Sequence, residues 1–255
     1  MNIKDFPFIP ERTEKNRNNG LTMVMDKGLS LRETEDMISV AGGYIDMVKF
    51  GFGTAMVSPV TVKEKIRTLQ LAGIKPYFGG TLFEAFIARG MFNEYKKMVK
   101  NFELDLVEVS DGTLEMVHQQ KCEYIRDLAK SVTVISEVGS KQAGVEIPDD
   151  KWVEMMKNEL EAGSWKVIAE AREGGNIGIY NQDHSANTSL VDSIVSNINI
   201  EDILWEAPIK NQQVWFIKLL GTNVNLGNIA PTEVIALEAL RVGLRGDTFF
   251  QYLEK

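Results

Sequence analysis

A lysine interrupts one of the apolar stretches of this chain, DMVKFGFGT (46–54), where Lys49 lies between Val48 and Phe50. Removing an ammonium group from water is costly unless acidic side chains surround it or a ligand uses it. Several other apolar stretches contain or precede acidic residues, which could supply such partners. Lys49 is therefore a candidate to stabilise negative charge on a bound molecule, or to act on that molecule directly.

The acidic residues of these stretches form a second set of candidates: Glu108, Asp111, Glu137, Glu170 and Glu206. A single acid at the end of a strand is more often a helix cap or the partner in a salt bridge. Several acids that converge on one place repel one another unless they bind a cation. Carboxylate oxygens, with water and substrate oxygens, are the ligands that Mg²⁺ prefers. The pattern therefore predicts magnesium as a cofactor.

Basic residues accompany these acids. Lys27 follows the first apolar stretch, Lys141 follows the fifth, and Arg172 lies at the end of the sixth. Ammonium and guanidinium groups close to a carboxylate-bound metal suit an anionic substrate.

The stretch GTNVNLGNIAPTE (221–233) contains residues that allow a ligand to approach the backbone closely: Asn225, Gly227 and Asn228. In barrels of alternating strands and helices, the last loops and a helix N-terminus often bind phosphate. The structural alternative is an ordinary helix cap. The stretch therefore stays a candidate for binding phosphate or carboxylate oxygens.

Eight apolar stretches have the composition of buried parallel strands, because they are rich in Val, Ile and Met on both faces. They cover residues 21–28, 44–51, 74–80, 104–112, 132–139, 165–173, 202–208 and 223–231. Helical patterns follow them at residues 30–41, 60–72, 83–100, 113–130, 150–162, 187–197, 210–219 and 232–243. SLRE (30–33) and TVKE (61–64) both match the capping box that opens helices.

Eight strand–helix units predict the fold class α/β, and specifically a (β/α)8 TIM barrel in a single domain. Residues 20–255 would form the barrel, and residues 1–19 a solvated N-terminal arm. A doubly wound open sheet is the alternative, but DKGLS (26–30) is not the glycine fingerprint of that fold. In a barrel the C-terminal ends of all strands meet at one mouth, so the charged residues named above would converge there.

Composition limits the classes of partner. The chain has 255 residues and a formal net charge of −8, which disfavours nonspecific binding to nucleic acid or anionic membranes. Its one cysteine, Cys122, has no partner for an internal disulfide, and no stretch has the length of an apolar membrane span. The N-terminus lacks the apolar core of a signal peptide. We expect no nucleic-acid or membrane partner, and a cytoplasmic location.

Several long motifs between Gly20 and Phe249 carry a resemblance to a known family: MVMDKGL, YIDMVKFGFGT, GGTLFE, VEVSDGT, SEVGSK, EAREGG, WEAPIKNQQVWFI and VNLGNIAPTEVIALEALRVGLRGDTF. They resemble those of phosphosulfolactate synthases. The resemblance implies a (β/α)8 barrel that adds sulfite to phosphoenolpyruvate with Mg²⁺, giving (2R)-3-sulfolactate 2-phosphate. The same family includes plant heat-stress-associated proteins.

The resemblance also suggests roles for the candidate residues. Lys141, in SEVGSK, is expected to donate a proton to carbon 2 of the substrate. Lys49 is the second choice for this role, or else it stabilises an enolate-like intermediate. Glu137 is a candidate both for catalysis and for the metal. The other candidate metal ligands are Glu108, Asp111, Glu170 and Glu206, and the candidate substrate-binding residues are Lys27, Arg172, Asn225, Gly227 and Asn228.

Two other functions stay open. The first is a stress-associated barrel without catalysis, which acts through protein partners. The second is a Schiff-base aldolase that uses Lys49 or Lys141, which would need a carbonyl substrate and no metal. For the enzyme we also expect a homo-oligomer, for example a trimer, because barrel enzymes often associate.

Overall fold

Eight parallel strands form the centre of the molecule in the computed structural model, which describes residues 3–139, 147–171 and 174–253. The strands are β1 (Thr22–Asp26), β2 (Met47–Phe50), β3 (Lys75–Phe78), β4 (Leu106–Val109), β5 (Thr133–Val138), β6 (Ser164–Ala169), β7 (Ile203–Glu206) and β8 (Leu226–Ile229). Hydrogen-bonded ladders join them in the order β3-β2-β1-β8-β7-β6-β5-β4. The two end strands, β3 and β4, also lie next to each other, which nearly closes the barrel. The predicted (β/α)8 barrel is confirmed.

The described residues contain ten α-helices outside this barrel. They are α1 (Leu31–Ala41), α2 (Thr54–Val57), α3 (Pro59–Leu71), α4 (Gly80–Ile87), α5 (Phe92–Asn101), α6 (His118–Leu128), α7 (Asp149–Glu161), α8 (Thr188–Asn197), α9 (Lys210–Leu220) and α10 (Val234–Arg241). None of these helices is long and apolar enough to cross a membrane.

Two apolar layers hold the barrel together. The inner layer fills the barrel with one or two side chains from most strands: Leu21, Met23, Met47, Tyr77, Leu106, Ile135, Ile168 and Leu204. The larger outer layer lies between the sheet and the helices. Side chains of a strand alternate between these two layers. Residues two positions beyond the inner apolar set therefore also face the barrel axis, nearer to the mouth.

One of the predicted helices is in fact two. The pattern predicts a single helix over residues 83–100, whereas the structure has α4 and α5 with a turn between them. Gly90 lies in this turn with φ +68°. A residue in that left-handed conformation cannot continue a right-handed helix, so the prediction is wrong at this point.

The helix predicted over residues 113–130 begins later, at His118. The backbone N–H of Thr113 donates instead to the side chain of Glu84, at 2.8 Å. Residues 113–117 therefore belong to the loop after β4, which reaches the mouth of the barrel.

The two predicted capping boxes have different outcomes. The N–H of Glu33 donates to Ser30 Oγ at 3.2 Å and Ser30 N–H donates to Glu33 Oε2 at 2.8 Å, so the box in SLRE is confirmed. The box in TVKE is wrong, because α3 begins earlier, at Pro59, and Thr61 lies inside it. Proline suits the first position of a helix, where its missing N–H costs nothing.

The N-terminal arm packs against the barrel through its arginines, whereas many of its other described residues are exposed, so the predicted solvated arm is only partly correct. Arg12 donates to Glu238 Oε1 of α10 at 2.9 Å, and Arg17 donates to Asp46 Oδ1, just before β2, at 3.0 Å. The side chains of Arg12 and Arg17 are only 11% and 5% exposed. The arm therefore closes the end of the barrel opposite to its mouth.

Candidate active site

Lys49 lies at the mouth of the barrel among three carboxylates that come from three other strands. Its Nζ is 3.0 Å from Oε1 of Glu108 and 3.2 Å from Oε2 of Glu137. It is 3.3 Å from Oε1 of Glu206. All four side chains are buried, and each follows an inner apolar residue by two positions. The lysine inside the apolar stretch is thus explained by the alternation of β2, which turns its side chain toward these acids.

Backbone N–H groups fix two of these carboxylates. The N–H of Gly80, at the start of α4, donates to Glu108 Oε1 at 2.5 Å. The N–H of Ala171, just after β6, donates to Glu206 Oε2 at 2.8 Å. A Cβ on Gly80 would clash with the side chains of Ser110 and Glu108, so the close approach requires glycine there. The main chain therefore orients two of the three carboxylates around Lys49.

The electrostatics of the cluster keep Lys49 charged. Burial opposes the charge, but Glu108, Glu137 and Glu206 raise the pKa of Lys49 well above its usual value. Burial raises the pKa of Glu206 from 4.5 to about 7, against the opposing effect of Lys49. The Glu206 carboxylate is therefore easier to protonate than an ordinary glutamate, and shifted pKa values of this kind are common at functional sites.

A cavity of about 300 Å³ opens beside this cluster, and we call it the central cavity. Glu137, Glu170 and Glu206 line the side formed by β5, β6 and β7. The side formed by the loops after β3 and β4 has no acid among its described lining residues and contributes Thr81 and Thr113. The acids among its described lining residues are therefore all on one side of the cavity.

A second cavity, of about 400 Å³, lies next to the first, and we call it the side cavity. Lys27 and Gly28, just after β1, and Ala230, just after β8, are among its lining residues. Asn228 lines both cavities, so the two adjoin. Its Nδ2 donates to the carbonyl of Ala171 at 3.3 Å, and no described residue donates to its Oδ1.

The structure brings most of the predicted site residues to this mouth. Those that surround Lys49 or line one of the cavities are Lys27, Lys49, Glu108, Glu137, Glu170, Glu206 and Asn228. Lys141 and Arg172 lie outside the described residues, so their roles stay predictions.

Asn225 was predicted to bind substrate, but the structure places it at the far end of the barrel. It precedes β8, where its Oδ1 accepts from Leu21 N–H at 3.0 Å. Its Nδ2 donates to the carbonyls of Glu201 and Ile203, both at 2.9 Å. These backbone bonds join the starts of neighbouring strands. Asn225 therefore has a structural role.

Gly227 and Asp111 are also placed differently from the prediction. Gly227 lies within β8, where a Cβ would come within 2.8 Å of Met23 inside the barrel, so Gly227 makes room for the core. Asp111 Oδ1 lies 2.8 Å from Nζ of Lys121, a buried residue of α6. Glu159 binds the same ammonium at 2.8 Å. Asp111 thus belongs to a neighbouring ion-pair cluster and does not line the central cavity.

Sequence reasoning missed the buried pair of Asp26 and Lys65. Lys65 Nζ, from α3, lies 2.5 Å from Asp26 Oδ2, and it donates to the carbonyl of Leu29 at 2.7 Å. Asp26 Oδ1 accepts from the N–H groups of Gly28 and Leu29. These bonds fix the loop that carries Lys27. The sequence gives no local sign of this pair, because Lys65 lies 39 residues from Asp26 along the chain.

The donor set at the mouth fits a magnesium ion that the protein shares with a substrate. Within the described ranges, no three acidic, histidine or cysteine side chains are arranged to hold a metal by themselves. Mg²⁺, however, usually takes only one or two carboxylates and completes its shell with water and substrate oxygens. Glu137 and Glu170 both line the central cavity and supply such hard oxygen ligands.

Comparison with known proteins gives a consistent result. The family model described as (2R)-phospho-3-sulfolactate synthase (ComA) matches residues 10–247. The chain is 42% identical to phosphosulfolactate synthase of Bacillus subtilis, over 97% of this chain and 100% of that protein. It is 40% identical to phosphosulfolactate synthase of Methanothermobacter thermautotrophicus, over 97% and 98%. Protein HEAT-STRESS-ASSOCIATED 32 of Arabidopsis thaliana is 23% identical, over 93% and 91%.

Solved structures match the fold alone. The crystal structure of 3-hexulose-6-phosphate synthase from Salmonella typhimurium superposes with a TM-score of 0.55 at 11% sequence identity. The match covers 88% of this chain and 100% of that one. An identity this low supports the barrel architecture and carries no statement about chemistry.

Proposed function

The chain belongs to the (2R)-phospho-3-sulfolactate synthase family, and from this premise we propose that it forms a C–S bond by adding sulfite to phosphoenolpyruvate. The product would be (2R)-3-sulfolactate 2-phosphate. The observation that carries the proposal is the buried Lys49 ammonium, which lies within 3.3 Å of three carboxylates beside a cavity at the barrel mouth. A barrel that only served as a scaffold would not need this costly cluster.

Charge is the main obstacle to this reaction. Phosphoenolpyruvate and sulfite are both anions, and among the described residues that line the central cavity three glutamates face one ammonium, that of Lys49. Cations must therefore enter the site with the substrates or surround them. Lys27 in the side cavity and Arg172 would bind substrate anions, and Mg²⁺ would complete the balance.

Glu137 and Glu170 would hold the Mg²⁺, since both line the central cavity. Bound there, the ion would neutralise the carboxylate and phosphate of phosphoenolpyruvate. Glu108 and Glu206 each accept a backbone N–H in addition to the contact with Lys49 that Glu137 shares, so they would act mainly by holding the ammonium in place.

The chemical step balances with one added proton and no leaving group. The sulfur lone pair of sulfite forms a bond to carbon 3 of phosphoenolpyruvate, and the electron pair of the double bond moves toward the carboxylate. Lys49 would stabilise the enolate-like charge that develops there, because its position is fixed before the reaction begins. A proton then adds to carbon 2 from one side. Lys141 remains the predicted donor.

A Schiff-base aldolase that uses Lys49 is less consistent with this site. Schiff-base formation needs a neutral amine, and the three carboxylates raise the pKa of Lys49 well above its usual value despite the opposing effect of burial.

The stress-associated barrel is the second alternative. Its named plant relative is 23% identical to this chain, compared with 42% for the synthase from Bacillus subtilis.

The test is an assay of the purified full chain with phosphoenolpyruvate and sulfite, in Mg²⁺ or in EDTA, with mass spectrometry of the product. We expect phosphosulfolactate in Mg²⁺ and none in EDTA. Glu170→Gln should also weaken Mg²⁺ binding measured by calorimetry, whereas Glu161→Gln on the exposed end of α7 should not. Folded protein that makes no product with any divalent metal would refute the synthase function.

Two further expectations belong to this proposal. We propose a cytoplasmic location, testable by cell fractionation, and a homo-oligomeric assembly. Exposed apolar side chains near the mouth, Met56, Val57 and Val60, are consistent with an interface. Light scattering on the purified chain would measure its mass, and a monomer would refute the assembly.

A further inference from the structure

Two threonines lie on the side of the central cavity that carries no described acid. Thr81 is the second residue of α4, and Thr113 lies in the loop after β4. Both threonines line the cavity and are exposed, and neither hydroxyl forms a hydrogen bond with another described residue. Each therefore has a donor available for a ligand.

A buried glutamate joins the two segments that carry these threonines. Glu84, on α4, is 3% exposed and accepts hydrogen bonds from the hydroxyl of Ser110 and from the N–H of Thr113. The Gly80 N–H bond to Glu108 joins the same segments closer to the barrel axis. GGTLFE and VEVSDGT, two motifs that the other site residues leave largely unused, thus form one rigid wall.

We propose that Thr81 and Thr113 form the binding subsite for sulfite, an inference that rests on the proposed function. Sulfite is a small anion whose oxygens accept hydrogen bonds while its sulfur must stay free to attack. Hydroxyl groups can donate hydrogen bonds to the sulfite oxygens without adding a positive charge that would hold the sulfite sulfur in place. The described residues of this wall that line the cavity include no acid, so sulfite bound there lies away from Glu137, Glu170 and Glu206, which would repel it.

The position of the wall suits a reaction between two bound anions. Lys27 lies toward the side cavity, which adjoins the central cavity at Asn228. Phosphoenolpyruvate bound between Lys27 and the acidic side with its metal leaves the threonine wall for the second reactant. Holding the two reactants on separate walls fixes the direction of attack and lowers the entropy lost in the reaction.

The test is steady-state kinetics of Thr81→Val and Thr113→Val, which remove one hydroxyl donor each and keep the side-chain size. Losing a hydrogen bond to a charged ligand should raise the KM for sulfite by roughly tenfold, with the KM for phosphoenolpyruvate changed by less than about twofold. Thr81→Ser and Thr113→Ser keep the hydroxyl group, so they should retain the KM for sulfite of the parent chain. Thr68→Val, on the outer surface of α3, is the matched control.

Calorimetry with sulfite alone separates this inference from the proposed function. Product formation with an unchanged sulfite KM in both valine variants would overturn the subsite and leave the synthase standing. Sulfite binding that both variants weaken, without turnover by the parent chain, would support the subsite and refute the synthase. A parent chain that neither turns over nor binds sulfite would overturn both.

Discussion

At the scale of single residues, the site depends on charges that the barrel removes from water. Lys49 is buried because Glu108, Glu137 and Glu206 share its charge, and each acid has a fixed position on its own strand. An ammonium fixed in this way does not need to reorganise when negative charge develops on a substrate. This rigidity gives Lys49 more catalytic value than a mobile surface lysine would have.

Replacing Lys49 by methionine should therefore reduce turnover sharply. Methionine keeps the length and apolar stem of lysine but removes the ammonium, so kcat should fall by roughly 100-fold or more, as for other fixed charge-stabilising donors. The measurement is kcat for phosphosulfolactate formation, with circular dichroism to confirm the fold. Lys97→Met, at a side chain that is 75% exposed on α5, should keep full activity. Equal activity in the two variants would contradict the role of Lys49.

Tyr77 leads to a second prediction at this scale. It pairs in register with Lys49 and is fully buried, and its hydroxyl has no hydrogen-bond partner among the described residues. An unsatisfied buried hydroxyl costs about 1 kcal/mol or more, so Tyr77→Phe should raise the free energy of unfolding by about 1 kcal/mol. Urea denaturation would measure it. Tyr124→Phe, whose hydroxyl accepts from Gln120, should be nearly neutral. A clear loss of stability in Tyr77→Phe would show that the hydroxyl is satisfied.

The sequence identified the charged residues of the site better than the uncharged ones. Lys49 and the glutamates stand out because charge within an apolar strand is rare and needs a reason. Asn225 was assigned to the mouth because the apolar stretch 223–231 is longer than β8, which begins at Leu226. A shift of a few residues along a strand moves a side chain from the mouth to the opposite end. Periodicity does not fix strand ends that closely.

At the scale of elements, a second ion-pair cluster holds the helices next to β5. Lys121 of α6 bonds to Glu159 of α7 and Asp111 of the loop after β4, and it donates to the carbonyl of Glu137 at 2.6 Å. Burial raises the pKa of Glu159 from 4.5 to about 7, against the opposing effect of Lys121. This cluster supports the strand end that carries Glu137.

The shifted pKa of Glu159 predicts how stability changes with pH. Between pH 4.5 and 7 the folded chain binds more protons at Glu159 than the unfolded chain does. Its contribution is therefore full below pH 4.5 and is lost as pH rises toward 7. Glutamine at this position cannot titrate. In Glu159→Gln the free energy of unfolding should therefore fall less across this pH range than in the parent chain, by at most about 3 kcal/mol. Urea denaturation at several pH values would measure it, with exposed Glu161→Gln unchanged. An unaltered slope in Glu159→Gln would contradict the shift.

Elements themselves were largely predictable from the sequence. Seven strands lie within the predicted apolar stretches and β6 begins one residue before its stretch, because buried parallel strands are apolar on both faces. The break at Gly90 was missed, since a single glycine within an amphipathic pattern is often tolerated in a helix. The loop at residues 113–117 was missed for another reason. Its conformation depends on Glu84, a tertiary contact that local pattern does not reveal.

At the scale of the whole molecule, the two ends of the barrel have different roles. The mouth carries buried charge that opposes stability, as functional sites often do. The other end carries contacts that close the fold. Arg12 bonds to Glu238 on α10, to Asn223 before β8 and to the carbonyl of Gly20 before β1. One side chain of the arm thus joins the first and last strands to the last helix.

Arg12→Met should therefore reduce stability without affecting the chemistry. Removing one partner of a buried ion pair costs about 3–5 kcal/mol, and the 11% exposure of both partners places this change near the lower end of that range. Urea denaturation would measure the loss, with Arg67→Met on the exposed face of α3 as the matched control. At a temperature where the variant is folded, kcat/KM should stay within about twofold, because a fixed mouth does not depend on the far end once the barrel is formed. Lost turnover in a fully folded Arg12→Met chain would instead show that the arm helps to hold the catalytic geometry, and the separation of the two ends would be wrong.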